Sequence, residues 1–115
     1  MTYRQDIGNL GENAAAEFLK GKGYNVLQRN FRCKTGEIDI ICIKDGCTVF
    51  VEVKTRKNSL YGSAAEFVNY YKQIKIKKAA MYFIKSEDAD MRFDVVEVYH
   101  KDGEVTEINH IEDAF

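Results

Sequence analysis

The sequence predicts an α/β fold in a single domain spanning residues 1–115: a mixed sheet of about five strands with helices packed on it, in the order α-β-β-β-α-β-β. Three observations lead to this. The 115 residues, 45% of them hydrophobic, suffice for one core and fall short of two domains of ordinary size. Two segments repeat apolar residues at three-four spacing, while five others are rich in β-branched and aromatic residues. Asp-Gly pairs at 45–46 and 102–103 mark tight hairpin turns, and no proline interrupts any element.

Asp6 to Lys22 reads as a helix through Leu10, Ala14, Ala15, Phe18 and Leu19, with Gly21 and Gly23 ending it. Tyr24 to Arg32 reads as a strand closed by Lys34, Thr35 and Gly36. Glu37 to Lys44 and Cys47 to Arg56 form two strands around Asp45-Gly46, the preferred pair for a two-residue type I′ turn. Ser63 to Glu66 has the form of a capping box, and Asn69 is a second possible cap. Beyond it Tyr70, Ile74, Met81 and Ile84 mark the buried stripe of a helix ending near Lys85. Met91 to Tyr99 is a strand, and Asp102-Gly103 leads into a last one, Glu104 to His110.

Composition narrows the functional classes. No run approaches the ~20 apolar residues that cross a bilayer, and Met1 to Asp6 lacks the pattern of a secretory signal, so a cytoplasmic location with no membrane partner is expected. Cys33, Cys42 and Cys47 are odd in number and contain no Cys-x-x-Cys pair, which argues for reduced thiols rather than a disulfide framework or a zinc site. The net charge of -1 hides an asymmetry: residues 1–86 hold 15 basic and 8 acidic side chains, residues 87–115 hold 2 and 10. A polyanion-binding face would therefore be built from the first three quarters of the chain, with the acidic remainder directed elsewhere.

The hairpin turn sets a register. With Asp45 and Gly46 as the loop, Lys44 faces Cys47, and counting outward puts Asp39 opposite Glu52 and Glu37 opposite Lys54. Directly opposed β-carbons lie about 5 Å apart, where like charges repel. Glu52 and Lys54 share a face with Asp39, Ile41, Ile43 and Phe50, and a β-bulge would move Asp39 to the other face. Glu12 borders the apolar stripe of the first helix near Ala15, Ala16 and Leu19. Carboxylates on adjacent strands with an ammonium two residues along suit Mg2+ or Mn2+, which keep several waters and bridge to phosphate. Lys54 would hold the attacking water or stabilise charge developing on the phosphate.

At these residues the chain resembles a known family. Phe50-Val51-Glu52-Val53-Lys54, preceded by Gly36-Glu37-Ile38-Asp39, is similar to the core of the PD-(D/E)xK nuclease superfamily, with Ile38 in place of proline. Gly8 to Glu12, Gly23-Tyr24, Arg29-Asn30, Arg92-Phe93-Asp94 and Ala114-Phe115 extend the resemblance to the YraN-like family of small bacterial proteins, related to the archaeal Holliday-junction resolvases. The resemblance implies a restriction-endonuclease-like core, with Asp39 and Glu52 as metal ligands, Lys54 as the catalytic lysine and Glu12 as the helix acid supporting the metal. It also implies a polar residue on the second helix, at Gln73 beside Lys72, and a two-fold homodimer.

A phosphodiester substrate needs cations for its flanking phosphates. Candidates are Arg29, Arg32, Lys34, Arg56, Lys57, Lys72 and Lys75, with Lys77 and Lys78 on other faces of the second helix. Tyr61, Tyr70 and Tyr71 either pack in the core or stack on bases, and the loop from Asn58 to Gly62 is where substrate shape would be sensed. The expected function is a Mg2+- or Mn2+-dependent endonuclease acting on DNA, branched or otherwise structured. Two alternatives stand beside it: a module that binds nucleic-acid structure without cutting, and a protein-interaction domain using the acidic C-terminal segment.

Overall fold

Strands that are apolar on both faces need a cover on each side, and here the two helices supply it from opposite sides of one sheet. The computed structural model describes residues 3–57, 68–85 and 89–115, with the backbone alone at 3–5. In chain order these form α1 (Tyr3–Gly21), β1 (Asn25–Cys33), β2 (Gly36–Lys44), β3 (Cys47–Arg56), α2 (Tyr70–Ile84), β4 (Met91–Lys101) and β5 (Glu104–Ile111). The sheet runs β1-β2-β3-β4-β5 and is mixed as expected: β3 and β4 are parallel, the other neighbours antiparallel.

Ala15, Ala16 and Leu19 of α1 close one core over Ile40, Cys42, Val49, Val51, Val96 and Val98. Ile76, Ala79 and Ala80 of α2 close the other over Ile38, Ile41 and Phe50. Both Asp-Gly turns form as read, with positive φ at Asp45, Gly46, Asp102 and Gly103, the requirement of a type I′ loop. Asn69 caps α2, its side chain accepting the Lys72 N–H at 2.9 Å. The capping box at Ser63 to Glu66 lies outside the described residues, as do Asn58 to Gly62 with Tyr61.

The buried stripe of α2 differs from the one expected. Tyr70 is 71% exposed, and the residues in the core are Ile76, Ala79 and Ala80. Small alanines let the middle of the helix meet the sheet closely, while its first turn stands beside the β1–β2 turn, where a Cβ on Gly36 would come within 3.3 Å of Lys75 Cβ. Tyr70 and Tyr71 therefore have no core to enter.

Side-chain alternation in β2 breaks at Asp39, and that break positions the site. Ile38 packs with Ile41 under α2, whereas Ile40 packs with Cys42 under α1. Two residues apart on a regular strand share a face, so β2 turns over at Asp39. Across from it in β1, Asn30 adopts a left-handed φ of 54°, and its neighbours pair as Arg29–Ile40 and Phe31–Ile38. This local twist has the effect of a bulge, re-aiming one side chain without disturbing the apolar core on either side.

Candidate functional site

Charged side chains from α1, β2, β3 and α2 meet where β2 and β3 part. Their ladder runs from Lys44–Cys47 to Ile40–Val51 in the register counted from the turn. At the next position the Asp39 carboxylate stands in for a backbone acceptor, Oδ2 taking the Val53 N–H at 2.8 Å. The cross-strand pairing of Asp39 with Glu52 is thereby replaced. Asp39 turns toward the α1 side, where it joins Glu12, Val53 and Thr55 in lining a cleft of about 520 Å³. Glu52 stays on the α2 side, two residues beyond Phe50, and its partner there is Lys72 of α2.

Although the two acids leave by opposite faces of the split, they remain one electrostatic group. The Asp39 carboxyl, ordinarily near 3.8, is pushed up to about 7, first by burial, then by the charge of Glu52 and more weakly that of Glu12, against the pull of the Val53 amide and Lys72. Glu52, 7% exposed, receives the Lys72 ammonium at 2.5 Å and that of Lys54 at 3.6 Å. Lys54 releases its proton more readily than usual, chiefly because it is partly buried and then because Lys72 lies against it, with Glu52 opposing. On Lys72 burial works against the charge, yet the bonds to Glu52 and Lys54 and the charges of Glu52 and Asp39 prevail and strengthen its hold on the proton.

Glu12 reaches the cleft because α1 lies almost against β3. A Cβ on the buried Gly11 would stand 1.9 Å from Thr55 Oγ1 and 3.0 Å from Thr55 Cβ. Gly11→Ala is expected to cost about 1–3 kcal/mol by overpacking, despite the ~1 kcal/mol that alanine gains over glycine in a helix. Urea unfolding of the single variant and of Gly11→Ala with Thr55→Ala checks this, the second change restoring most of the loss. The Glu12 side chain, 13% exposed, accepts from Arg29 Nε at 2.8 Å and Asn30 Nδ2 at 3.0 Å. Glu12 thus ties α1 to the twist in β1 that aims Asp39.

The donor set suits a hard divalent cation in its chemistry, since Asp39, Glu52 and Glu12 are hard oxygen donors, and burial followed by the charges of the other two raises the Asp39 carboxyl to about 7. Among the described residues no group of three His, Cys, Asp or Glu side chains is arranged to hold one ion. Magnesium needs only one or two protein carboxylates beside its waters and a phosphate; Asp39 and Glu12 line one cleft, and Glu52, on the other face, could join Asp39 only by exchanging Lys72 for the ion.

The cations expected to meet phosphates are distributed differently from their pattern in the sequence. Arg29 is held by Glu12 and Asn13, and Gln73 is turned to the Val68 carbonyl, with Nε2 donating at 2.8 Å. Arg56 is half-buried with its Nε inside the protein, and Lys72 is spent on Glu52. Arg32 pairs with the exposed Glu37 on the rim of the first cleft. Lys34, Lys57 and Lys75 are exposed, while Lys77 covers Phe93 and Phe115.

Two buried acids went unnoticed as single residues in the sequence. Glu97, fully buried, sits beside Lys54 across the β3–β4 pair and accepts from Tyr99 Oη at 2.6 Å and Asn109 Nδ2 at 2.7 Å. Asp94, also fully buried, is gripped by Arg92, His110 and the Asp113 amide. The run Arg92-Phe93-Asp94 signalled the second; an acid amid the valines of a central strand could have signalled the first.

Comparison with known proteins gives the family. Residues 11–98 match the model of a family described as "Uncharacterised protein family UPF0102". A UPF0102 protein of Caldicellulosiruptor bescii is 52% identical over 96% of this chain and 98% of its own length. Relatives under the same name from Geotalea daltonii, 51% identical over 95% of the chain and 88% of their own length, and Clostridium perfringens, 44% over 98% and 96%, match almost end to end. With the family matched across most of its length and relatives of such identity covering nearly all of it, the chain belongs to the UPF0102 family, which is the YraN-like family.

Proposed function

We propose that this protein is a metal-dependent endonuclease that hydrolyses phosphodiester bonds in branched or otherwise structured DNA. The observation that carries the reading is the half-buried Asp39 carboxyl at the parting of two strands, raised to about 7 first by desolvation and then by the charges of Glu52 and Glu12, with Lys54 against Glu52. Mg2+ or Mn2+ bound there would polarise a phosphoryl oxygen and acidify a water. Asp39 would hold the ion together with Glu52, once Glu52 exchanges Lys72 for it, and Glu12 fixes the twist that aims Asp39. Lys54, whose proton is loosened, places the water or offers its ammonium to the phosphate as charge develops.

One observation favours a second reading, binding of nucleic-acid structure without cleavage: Lys72 already neutralises Glu52 at 2.5 Å. A panel of four-way junction, flap, single-stranded and duplex DNA with and without Mn2+ separates the two. The nuclease reading expects products with metal from at least one branched or single-stranded substrate. It also expects their loss, by ~10³-fold or more, in Glu52→Ala and in Lys54→Ala with folding preserved. Salt-sensitive binding with no product at any metal concentration would leave the binding module in its place. Among the described residues no helix is long and apolar enough to cross a membrane. A cytoplasmic site of action and a homodimer acting on paired strands belong to the same proposal.

A further inference from the structure

The most exposed large apolar side chains among the described residues are two neighbours, Tyr70 at 71% and Tyr71 at 77%. They open α2 with their rings 6.5 Å apart and inclined at 61°. Such rings ordinarily bury most of their area, and here the core offers them no place. Tyr71 forms one wall of a second cleft, of about 410 Å³, shared with Gly36, Asn69, Lys72, Lys75 and Ile76. That volume lies in the range that accepts a small-molecule-sized group. Lys72 connects this cleft directly to the acids, because its ammonium holds Glu52. Glu37 lines both clefts, so the two share one wall.

We infer that this second cleft is a stacking site for an unpaired nucleotide next to the scissile phosphate, with the base on Tyr71 and the adjoining phosphate on Lys75. The inference rests on the nuclease reading and narrows its substrate to DNA with unpaired bases at the cut, such as a flap or a single-stranded end, in preference to a fully paired four-way junction. Charge and shape both support it. A strand entering this cleft would meet the exposed Lys75 ammonium and the aromatic face of Tyr71, the combination that grips single strands without reading sequence. A base inside a duplex could not reach rings that stand at the mouth of a cleft, whereas an unstacked one could.

The test uses the full chain in EDTA, so that nothing is cut, with oligonucleotides carrying 2-aminopurine in a single-stranded overhang or inside a blunt duplex. The protein contains no tryptophan, which leaves the probe's emission unmasked. Wild type is expected to bind the overhang more tightly than the duplex and to quench its probe. Tyr71→Ala should weaken overhang binding by roughly 10- to 100-fold and abolish quenching, with the melting temperature unchanged because the side chain is exposed. Tyr71→Phe should retain both. Lys75→Ala should lower the slope of log affinity against log salt by about one. Equal affinity of wild type for overhang and blunt duplex, or undiminished binding by Tyr71→Ala, overturns the inference, and a metal-dependent cleavage panel that still yields products leaves the nuclease reading standing. Absence of binding to every nucleic acid overturns both. Sedimentation showing a dimer that Tyr71→Ala dissociates, with DNA affinity unaltered, assigns the rings to a second copy of the chain and overturns it as well.

Discussion

Asp39→Asn is expected to abolish metal-dependent cleavage, by ~10³-fold or more, and at the same time to make the metal-free protein more stable above neutral pH. Both effects come from one carboxyl held at about 7 by burial and by Glu52 and Glu12. In the unfolded chain the same group titrates near its ordinary value of 3.8. Below about pH 4 both states carry the proton and the site is neutral in its effect on stability. Between about 4 and 7 the folded state keeps a proton that the unfolded state has released, so stability falls as pH rises and stays low above 7. At about 1.4 kcal/mol for each pH unit of that window, the loss is on the order of a few kcal/mol. The amide that replaces the carboxyl imitates its protonated form and can still accept the Val53 N–H, so Asp39→Asn should remove that slope. Urea unfolding in EDTA at pH 5 and pH 8 reads it directly: the variant gains at both, and more at pH 8 than at pH 5. In wild type a bound divalent ion must displace this proton, so its affinity should weaken about tenfold per pH unit below 7, which calorimetry measures. Equal stability of variant and wild type at pH 8 would remove the electrostatic basis of the site.

The second large effect is structural and has the opposite pH signature. Asp94→Asn is expected to cost about 3–5 kcal/mol, a melting-temperature drop of roughly 10–25 °C, because it takes the buried carboxylate from the centre of a network and leaves the half-buried Arg92 guanidinium without its ionic partner. Asp94 takes two bonds from Arg92, at 2.9 and 2.8 Å, and further bonds from His110 Nε2 at 2.7 Å and the Asp113 N–H at 2.9 Å. Arg92 in turn donates to Tyr24 Oη at 2.6 Å, and Tyr24 donates to Glu112 at 3.2 Å. The network therefore joins the end of the α1 segment to β4, β5 and the C-terminal turn. Burial alone would raise the Asp94 carboxyl, but His110, Arg92 and the Asp113 amide outweigh it and bring it down to about 2. Its contribution, on the order of 2–3 kcal/mol, is present above about pH 4 and disappears as pH falls through 2. Thermal melts between pH 2 and 7 should show this acid limb in wild type and not in the variant. A variant melting within a few degrees of wild type would strip the network of its part in holding the fold.

The pairing of β2 with β3 shows how far local rules extend. Counting from Asp45-Gly46 reproduces every pair to Ile40–Val51 and then fails at Asp39. Alternation is a property of the strand alone, whereas the turn-over depends on Asn30 in another strand, on Glu12 from α1, and on a side chain replacing a ladder bond. The cations teach the same lesson from the other direction. Arg29, Lys72 and Lys75 look alike as charges along a chain, yet the first two are committed to Glu12 and Glu52 and the third is exposed. Tyr70 misleads because helical spacing names a possible stripe and does not say which turn overhangs the sheet.

Order of elements and the two hairpin turns were readable from residue types and their spacing, and the family from the motifs that carry the resemblance. The sides of the sheet taken by Asp39 and Glu52, the pairing of Lys72 with Glu52, the burial of Glu97 and the Asp94 network were not. Spacing along a chain records which groups a strand or helix can present together. Which partner each charge finds depends on desolvation and on distances between residues far apart in sequence, and those exist only once the two cores have closed.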